Sequence, residues 1–527
     1  IYEKIYIKNR INIGNWIGKI SRNQKKNIDW WMTKPTLRNP YTSNLINYCT
    51  VLETLEQINI KKKIQIITSS REMSTIITDN FNKKLNLQIK IENKKVFFLK
   101  KTIDFFKSFI FQLFIYLYLN IFKKKRDINL KKNYVFIDTF ITPNKKLNSG
   151  FYPNLSEHLK ENILFVPTIT QSLNFPKLIS ILGNSSNNNL LFKEHYLSFS
   201  DYIFGYLHFL RREKFCKSNY IYKKYNISSI VNEEIRNSDN CNSIIVGILN
   251  YRFFKKISAL SFKIRKSINW FENQVIDRGW NLGFRKYFKK YEKNSLGYQN
   301  FTRHYNLISF SPSLPENSSS VTPNKVVVIS KYFKKIAKEF NKKQIVILGP
   351  TNRFKNLDKN KIISSKRKKI LLILSGILQV DKALISLIQS TCILNNKIQI
   401  HLKDHPILPL KKIIGKKTLP KNLIPTNENL DTLLQKCLIT IISGPTSVIK
   451  ESHNIRNNII LPNIEVGTKI NAERLKLKKQ NYFIVNTKNE MLSAINYIKK
   501  NKSKINKSNN KAAFFENLTR KNIKIFL

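Results

Sequence analysis

The chain has 527 residues, of which 42% are apolar and 12% aromatic, and its 93 Lys and Arg against 33 Asp and Glu give a formal net charge of +60. This length is enough for two domains with cores of their own, and the apolar share excludes a disordered chain. The five cysteines (Cys49, Cys216, Cys241, Cys392 and Cys437) are scattered and never form a CxxC pair, the pattern of a reduced compartment without a structural zinc.

Basic residues run from Lys4 to Lys524 without a block or an arginine-rich arm. Two explanations of the charge compete. One is coding bias, since Lys, Asn and Ile are abundant throughout, combined with attraction to an anionic membrane. The other is a nucleic-acid partner, which the dispersal of the charge disfavours. The sequence opens on Ile1 rather than Met, which is compatible with a missing N-terminal piece.

In chain order, Trp30, Trp31 and the hydroxyl-bearing residues up to Ser43 read as a loop before a helix. The indoles suit packing, and flat aromatic faces also suit a sugar ring. Residues 64–68 read as a buried strand. Residues 105–122 are rich in Phe, Tyr, Ile and Leu, with Lys100 and Lys101 before them and Lys123 to Arg126 after. Lys107, Gln112 and Asn120 would be costly inside a bilayer, so an in-plane helix on anionic lipid fits better than a span, and a buried core helix fits equally well. Further strands are expected at 134–137 and 163–166, and a surface loop at 184–189. Residues 311–320 (SPSLPENSSS) carry turn chemistry and read as a linker, with a domain boundary near residue 322.

Beyond it, strands are expected at 326–330, 345–348, 370–374, 397–402, 438–442, 458–461 and 482–485, with helices at 382–392, 430–436 and 488–499. Strand–helix alternation of this kind predicts a doubly wound parallel sheet with ligands at the C-terminal ends of its strands. The expected division is an N-terminal domain over 1–322, a C-terminal domain over 323–500, and a basic tail over 501–527 whose residues 514–527 form a helix returning to the first domain.

Two constellations lie at strand ends of the C-terminal domain. A β-branched run ends in Ser443-Gly444-Pro445-Thr446-Ser447, followed by a helical run carrying Glu451. Such a loop presents amides and hydroxyls to a phosphate. The other run ends in Lys403-Asp404-His405-Pro406, where Pro406 stops the strand and His405 can bond or protonate a phosphate oxygen. Alone, this His-Pro pair also suits a plain turn. Together the two stretches resemble the nucleotide-binding domain of GT-B glycosyltransferases, most of all bacterial sialyltransferase-like and Kdo-transferase-like enzymes. The resemblance implies that Lys403, His405, Pro406, Ser443, Gly444, Thr446 and Ser447 bind a CMP-type donor and that Glu451 accepts ribose hydroxyls. Glu451 is also an ordinary acid for the first turn of a helix.

A third constellation is Trp270-Phe271-Glu272-Asn273-Gln274, with Asp277, Arg278 and Arg285 on the run that follows, then Gly297-Tyr298-Gln299. The polar triplet is an odd start to a helix unless it faces a ligand. The set resembles a signature of bacterial surface-carbohydrate biosynthesis proteins, further matched by Asp138-Thr139-Phe140, by residues 150–155 and by residues 193–197; the loop at Trp30 and Trp31 is a looser match. In relatives a His or Gly often follows the Gly-Tyr-Gln, where this chain has Asn300. By this resemblance Glu272 is the general base, with Asp277 a poorer candidate, and Asn273, Gln274, Arg278, Tyr298 and Gln299 line the acceptor side or the cleft.

The fold implied is GT-B-like, two Rossmann-type domains facing across a cleft. The function implied is transfer of a sugar from a nucleotide donor, a CMP-linked keto acid sugar first, to a surface polysaccharide (O-antigen or capsule) or lipid-linked acceptor. Such an enzyme would work in the cytoplasm at the inner face of the plasma membrane, in peripheral contact with anionic lipid. No metal or cofactor is expected: the GT-B resemblance implies metal independence, and the sequence shows neither a DxD-type site nor a metal-ligand pattern among its seven histidines. A nucleotide-sugar epimerase, a CDP-glycerol-type phosphotransferase and a basic, non-catalytic nucleic-acid-binding protein remain as alternatives.

Overall fold

The computed structural model describes all residues except 1, 59–63, 83–86, 92–94, 142–151, 153–161, 170–174, 184–188, 238–240, 304–306, 352–366, 407, 416–417, 444–445, 456, 465–481, 502–523 and 527. Strands β1 (Ile64–Thr68) and β2 (Leu87–Ile91) form a small parallel pair. The first large sheet is built from β3 (Asn133–Ile141) and β4 (Ile163–Ile169). A short antiparallel hairpin, β5 (Ile221–Tyr222) and β6 (Tyr225–Asn226), intervenes before the sheet resumes. It is completed by β7 (Lys263–Trp270), β8 (Ser295–Gln299), β9 (Lys325–Val328) and β10 (Ile345–Leu348). All its pairings are parallel, in the order β10-β9-β8-β7-β3-β4.

Strand β4 is buried at every position, as a parallel sheet covered on both faces requires. Alternate residues divide between two cores. Val135, Ile137 and Phe165 pack with Phe111, Ile115 and Leu178, while Phe136, Leu164 and Val166 pack with Leu249, Phe253 and Trp280. The helix Lys95–Phe122 thus covers one face, and the helices Cys241–Ala259 and Val275–Tyr287 cover the other.

The second sheet contains β11 (Lys369–Ile373), β12 (Ile400–Lys403), β13 (Leu423–Pro425), β14 (Cys437–Ile442), β15 (Asn458–Pro462) and β16 (Tyr482–Val485). Its order is β13-β12-β11-β14-β15-β16, again wholly parallel. Counted from its first strand this is 3-2-1-4-5-6, the order of dinucleotide-binding sheets. The chain is therefore α/β with two Rossmann-type parallel sheets, the GT-B-like layout. One apolar cluster runs from Val327 and Phe333 of the first unit into Leu371, Ile442 and Ile449 of the second.

Two expectations need correction. Strands β9 and β10, expected to open the second domain, pair with β8 in the first sheet, so the second sheet starts at Lys369 rather than near residue 323. The supposed linker is a buried structural piece. Ser313 caps the helix Leu314–Ser318 in a capping box with Glu316, and Glu316 is 1% exposed. Residues 105–122 belong to a longer helix, Lys95–Phe122, whose one face is core. The 184–189 loop and the tail lie mostly outside the described residues. The last described residues do return to the first unit, where the Phe526 ring meets Tyr298 at 5.0 Å.

Candidate active site

In each sheet the chain leaves its first strand to one side and later returns to build the other side. The crevice of such a sheet opens beyond the carboxyl ends of the two strands at that reversal. In the first sheet these are β3 and β7; in the second, β11 and β14.

At the first reversal Asp138 of β3 is fully buried. Its Oδ1 accepts from Thr168 Oγ1 at 3.4 Å, and its Oδ2 has no protein partner among the described residues. Lys193 is buried beside it and donates to Asn250 Oδ1 at 2.8 Å. Tyr152 is buried within reach of the charges of Asp138 and Asp277. From the end of β7 the chain turns through Glu272-Asn273-Gln274 into the helix Val275–Tyr287. Gln274 is the N-cap, and Asp277 Oδ2 accepts from the backbone N–H of Glu272 at 2.9 Å and of Gln274 at 3.0 Å. The polar triplet is therefore accounted for first by helix capping. Glu272 itself is half-buried at this edge, its Oε1 taking Trp270 Nε1 at 2.8 Å and its Oε2 taking the exposed Gln274 Nε2 at 2.6 Å.

Burial pushes the Asp277 carboxyl up to about 7; the N–H of Gln274 opposes this and the Glu272 charge adds to it. Burial, with the Asp277 charge behind it, holds Asp138 well above the usual carboxylate range against the pull of Lys193. Burial in turn lowers the Lys193 ammonium. Three carboxyls and one amine thus share an edge at which protons can be held or exchanged. Asp138, Tyr152 and Lys193 lie in segments that resemble the surface-carbohydrate signature, but the sequence does not mark them individually as site residues. A lone acid inside an apolar strand was the available signal.

Four of the residues expected in the acceptor region or cleft are structural instead. Asn273, in the left-handed region at φ 61°, donates to Ser309 O at 2.9 Å and Glu316 Oε1 at 3.0 Å. Arg278 is fully buried and donates to Thr36 Oγ1, Thr36 O (2.6 Å), Glu316 Oε1 (2.9 Å) and Trp31 O (3.2 Å), which leaves nothing for a ligand. Tyr298 is buried and donates to Pro350 O at 2.5 Å. Gln299 is 1% exposed and donates to Phe310 O at 2.9 Å. Arg285 likewise donates to two backbone carbonyls, Asn317 O and Thr322 O. Trp30 and Trp31 are buried, so of their two readings packing holds.

At the second reversal β11 runs into Ser375-Gly376 ahead of the helix Leu378–Leu394. Asp381 accepts from Ser375 N at 2.7 Å, Ser375 Oγ at 2.8 Å and Gly376 N at 2.8 Å, and so fixes the loop. Gly376 has φ 82°, and a Cβ there would lie 2.6 Å from His405 Nδ1. The half-buried His405 ring at the end of β12 therefore lies against this glycine. Sequence reasoning missed the Ser375-Gly376 loop, whose signal was a Gly between an apolar strand and a helix. Lys403 Nζ reaches Thr426 O at 3.4 Å, and Pro406 is exposed.

Beyond β14, Ser443 is buried with its Oγ donating to Pro462 O at 3.3 Å. Gly444 lies outside the described residues. Thr446 Oγ1 accepts from Val448 N at 3.4 Å, and Ser447 Oγ donates to Glu451 Oε1 at 2.8 Å. Glu451 is 3% exposed, so its carboxylate serves its own helix start here rather than standing open for ribose. His405, Ser375, Gly376, Thr446 and Ser447 nonetheless come to one sheet edge. They offer the His405 imidazole and the Thr446 hydroxyl, groups that bind phosphate and hydroxylated ligands, while Asp381 and Glu451 hold the Ser375 and Gly376 amides and the Ser447 hydroxyl proton. Among the described residues no group of three His, Cys, Asp or Glu side chains could hold a metal ion.

The carboxyl edges of the two sheets meet. Lys450, in the helix that follows the Ser443–Ser447 loop, sets its Nζ 4.3 Å from the Phe333 ring and 5.0 Å from the Tyr332 ring, and both rings follow β9.

No protein family and no curated protein matches the sequence. Among solved structures, the UDP-GlcNAc 2-epimerase of Methanocaldococcus jannaschii aligns at 12% identity and a TM-score of 0.39, over 74% of this chain and 97% of that one. A trehalose-phosphate synthase of Burkholderia vietnamiensis aligns at 8% identity and 0.37, over 71% and 95%. MurG of Acinetobacter baumannii aligns at 9% identity and 0.35, over 70% and 91%. Scores this low carry no assignment, and the architecture rests on the two strand orders themselves.

Proposed function

We propose that the chain is a metal-independent glycosyltransferase that moves a sugar, a CMP-linked keto acid sugar first, onto a surface polysaccharide or lipid-linked acceptor. The acceptor would be met at the inner face of the plasma membrane, in O-antigen or capsule assembly. What carries the reading is one coincidence of topology and sequence. The strand-end residues that stand out in the sequence, Glu272 on one side and His405 with the Ser443–Ser447 loop on the other, fall at the carboxyl edges of two parallel sheets whose edges meet.

In this reading Glu272 takes the proton of the acceptor hydroxyl as that oxygen bonds to the anomeric carbon. The bond from that carbon to the donor phosphate breaks, and the phosphate oxygen leaves with the electron pair. His405 and the hydroxyl of Thr446 offset the charge that grows on it. Glu272, half-buried at this edge, then passes the proton to solvent and returns to its ionised form.

Thermal unfolding with CMP, CDP, UDP or GDP at about physiological salt tests this. A nucleotide at a hundredfold its Kd adds about 2.7 kcal/mol of stability. CMP is expected to stabilise the wild type and not His405→Ala. Glu272→Gln should keep the CMP response and lose about 10²–10⁴-fold in transfer from a CMP-linked sugar. A chain that ignored all four nucleotides but was stabilised by single-stranded DNA would sink the reading.

A further inference from the structure

We propose that the helix Lys95–Phe122 and the three short helices beside it form a docking face for an anionic lipid bilayer. The helix is built into the protein on one side only. Phe111, Ile115 and Leu119 are buried in the core that covers the first sheet, while Ile103, Phe106, Ile110, Leu117 and Ile121 point to solvent. Steps of three, four, seven and four residues put those five on a single face. Phe106, Ile110 and Ile121 are 57%, 58% and 67% exposed, which an isolated soluble helix would reserve for polar side chains.

The apolar face does not end at this helix. On one side Phe175 packs on Phe114 at 4.5 Å, and Phe175 and Ile179 of the helix Phe175–Gly183 are themselves exposed. On the other side Tyr206 and Phe209 pack on Phe105 at 5.3 Å each, which brings the exposed Ile203, Leu207 and Leu210 alongside. Four neighbouring helices, Lys95–Phe122, Phe175–Gly183, Phe199–Tyr206 and His208–Arg211, thus show apolar side chains to the outside, the arrangement of a protein that lies on a membrane.

Charge selects the occupant. Lys107 is exposed on the helix, Lys124 and Lys125 follow its end, and Lys214 and Lys217 are exposed just past Leu210. Of the carboxylates nearby, Asp201 is held by Arg252 at 2.6 Å and Glu213 by Arg236 at 2.8 Å, Asp104 is half-buried, and Asp127 is exposed but outnumbered by Lys123, Lys124, Lys125 and Arg126 before it. Basic residues beside an apolar face suit anionic headgroups. A second copy of a chain at +60 would instead bring like charge to the contact. The stretch Thr102–Phe122 has 21 residues, enough in length and composition for a span. Its buried face is held by the sheet, so it lies along the bilayer surface. The inference rests on the reading of a lipid-linked acceptor for its purpose, since it would hold the enzyme where that acceptor is.

The test is flotation of the full chain with vesicles of phosphatidylcholine alone or mixed with phosphatidylglycerol. The wild type should float with the mixed vesicles, and salt should weaken the binding. Ile110→Glu with Leu117→Glu should reduce binding about tenfold or more, and Lys124→Glu with Lys125→Glu should reduce it for mixed vesicles. These side chains are exposed, and unchanged thermal midpoints would show that the variants fold. Wild-type protein that ignores the mixed vesicles overturns the proposal. So does an apolar-face variant that binds as the wild type does, or one whose only change is loss of a dimer in sedimentation velocity. The CMP response of the same variants separates the two readings. Vesicle binding without any nucleotide response removes the glycosyltransferase and leaves the docking face, whereas a nucleotide response without vesicle binding does the reverse.

Discussion

Glu316 is a carboxylate shared by two buried guanidiniums. Arg38 donates to its Oε2 at 2.5 Å and Arg278 to its Oε1 at 2.9 Å, while Ser313 adds its N–H and hydroxyl. Burial alone would raise the carboxyl, yet Arg38 and Arg278 hold it below its usual value. Glu316→Gln would leave two buried cations without a counter-charge, at a cost of about 3–5 kcal/mol. Chemical denaturation should show that loss, with the nucleotide response of the folded fraction unchanged. A variant of normal stability that had lost the response would return Arg278 to the ligand site. Arg278, expected at the acceptor side or the cleft, has its counter-charge in Glu316 instead. Arg38 and Arg278 lie 278 and 38 positions from Glu316, distances over which no local pattern reports.

At the scale of elements, the helices Cys241–Ala259 and Val275–Tyr287 cross with Gly247 against Gly279, so closely that a Cβ on Gly279 would overlap the Gly247 carbonyl. Backbone meets backbone there, and neither side can yield by changing a rotamer. Gly279→Ala is therefore expected to destabilise by about 1–3 kcal/mol and to disturb the turn that carries Glu272. Gly183→Ala, at a helix end with open space around it, should be neutral or slightly stabilising, within about 1 kcal/mol. Thermal midpoints of the two variants check the contrast. Elements themselves were legible wherever the pattern was local. Residues 345–348, 430–436 and 482–485 form the expected strand, helix and strand with the expected bounds, because apolar runs and capping residues mark them. Sheet membership was not legible, since β9 and β10 read as strands equally well in either unit. Residues 311–320 read as a linker because their Ser, Pro and Asn are turn formers, and only Arg38 and Arg278 reveal why Glu316 is buried. The site followed the same division. His405 and the Ser443–Ser447 loop were visible as strand ends, whereas Asp138 and Lys193 lie within buried segments whose role depends on elements far along the chain.

For the molecule as a whole, Lys450 ties the two sheets together. It is 1% exposed, its Nζ has no hydrogen-bond partner among the described residues, and it faces Phe333 and Tyr332 of the first unit. Burial, with Arg303 of the first unit adding repulsion, pulls its ammonium down to about 7. The unfolded chain holds this proton up to about pH 10.4, so between the two values the unfolded state binds more protons than the native one. Stability from this group is therefore greatest above about pH 10 and is lost as the pH falls to about 7, by roughly 1.4 kcal/mol per unit. Lys450→Met keeps the length and apolar contact of the side chain and removes the charge. Its thermal midpoint should exceed that of the wild type most at pH 7, and the difference should shrink as the pH is raised to 9. The buried Lys193 titrates in the same sense, but it is present in both proteins and drops out of the comparison. A difference that stayed constant with pH would mean that Lys450 is hydrated rather than enclosed, and that the edges of the two sheets stand apart in solution.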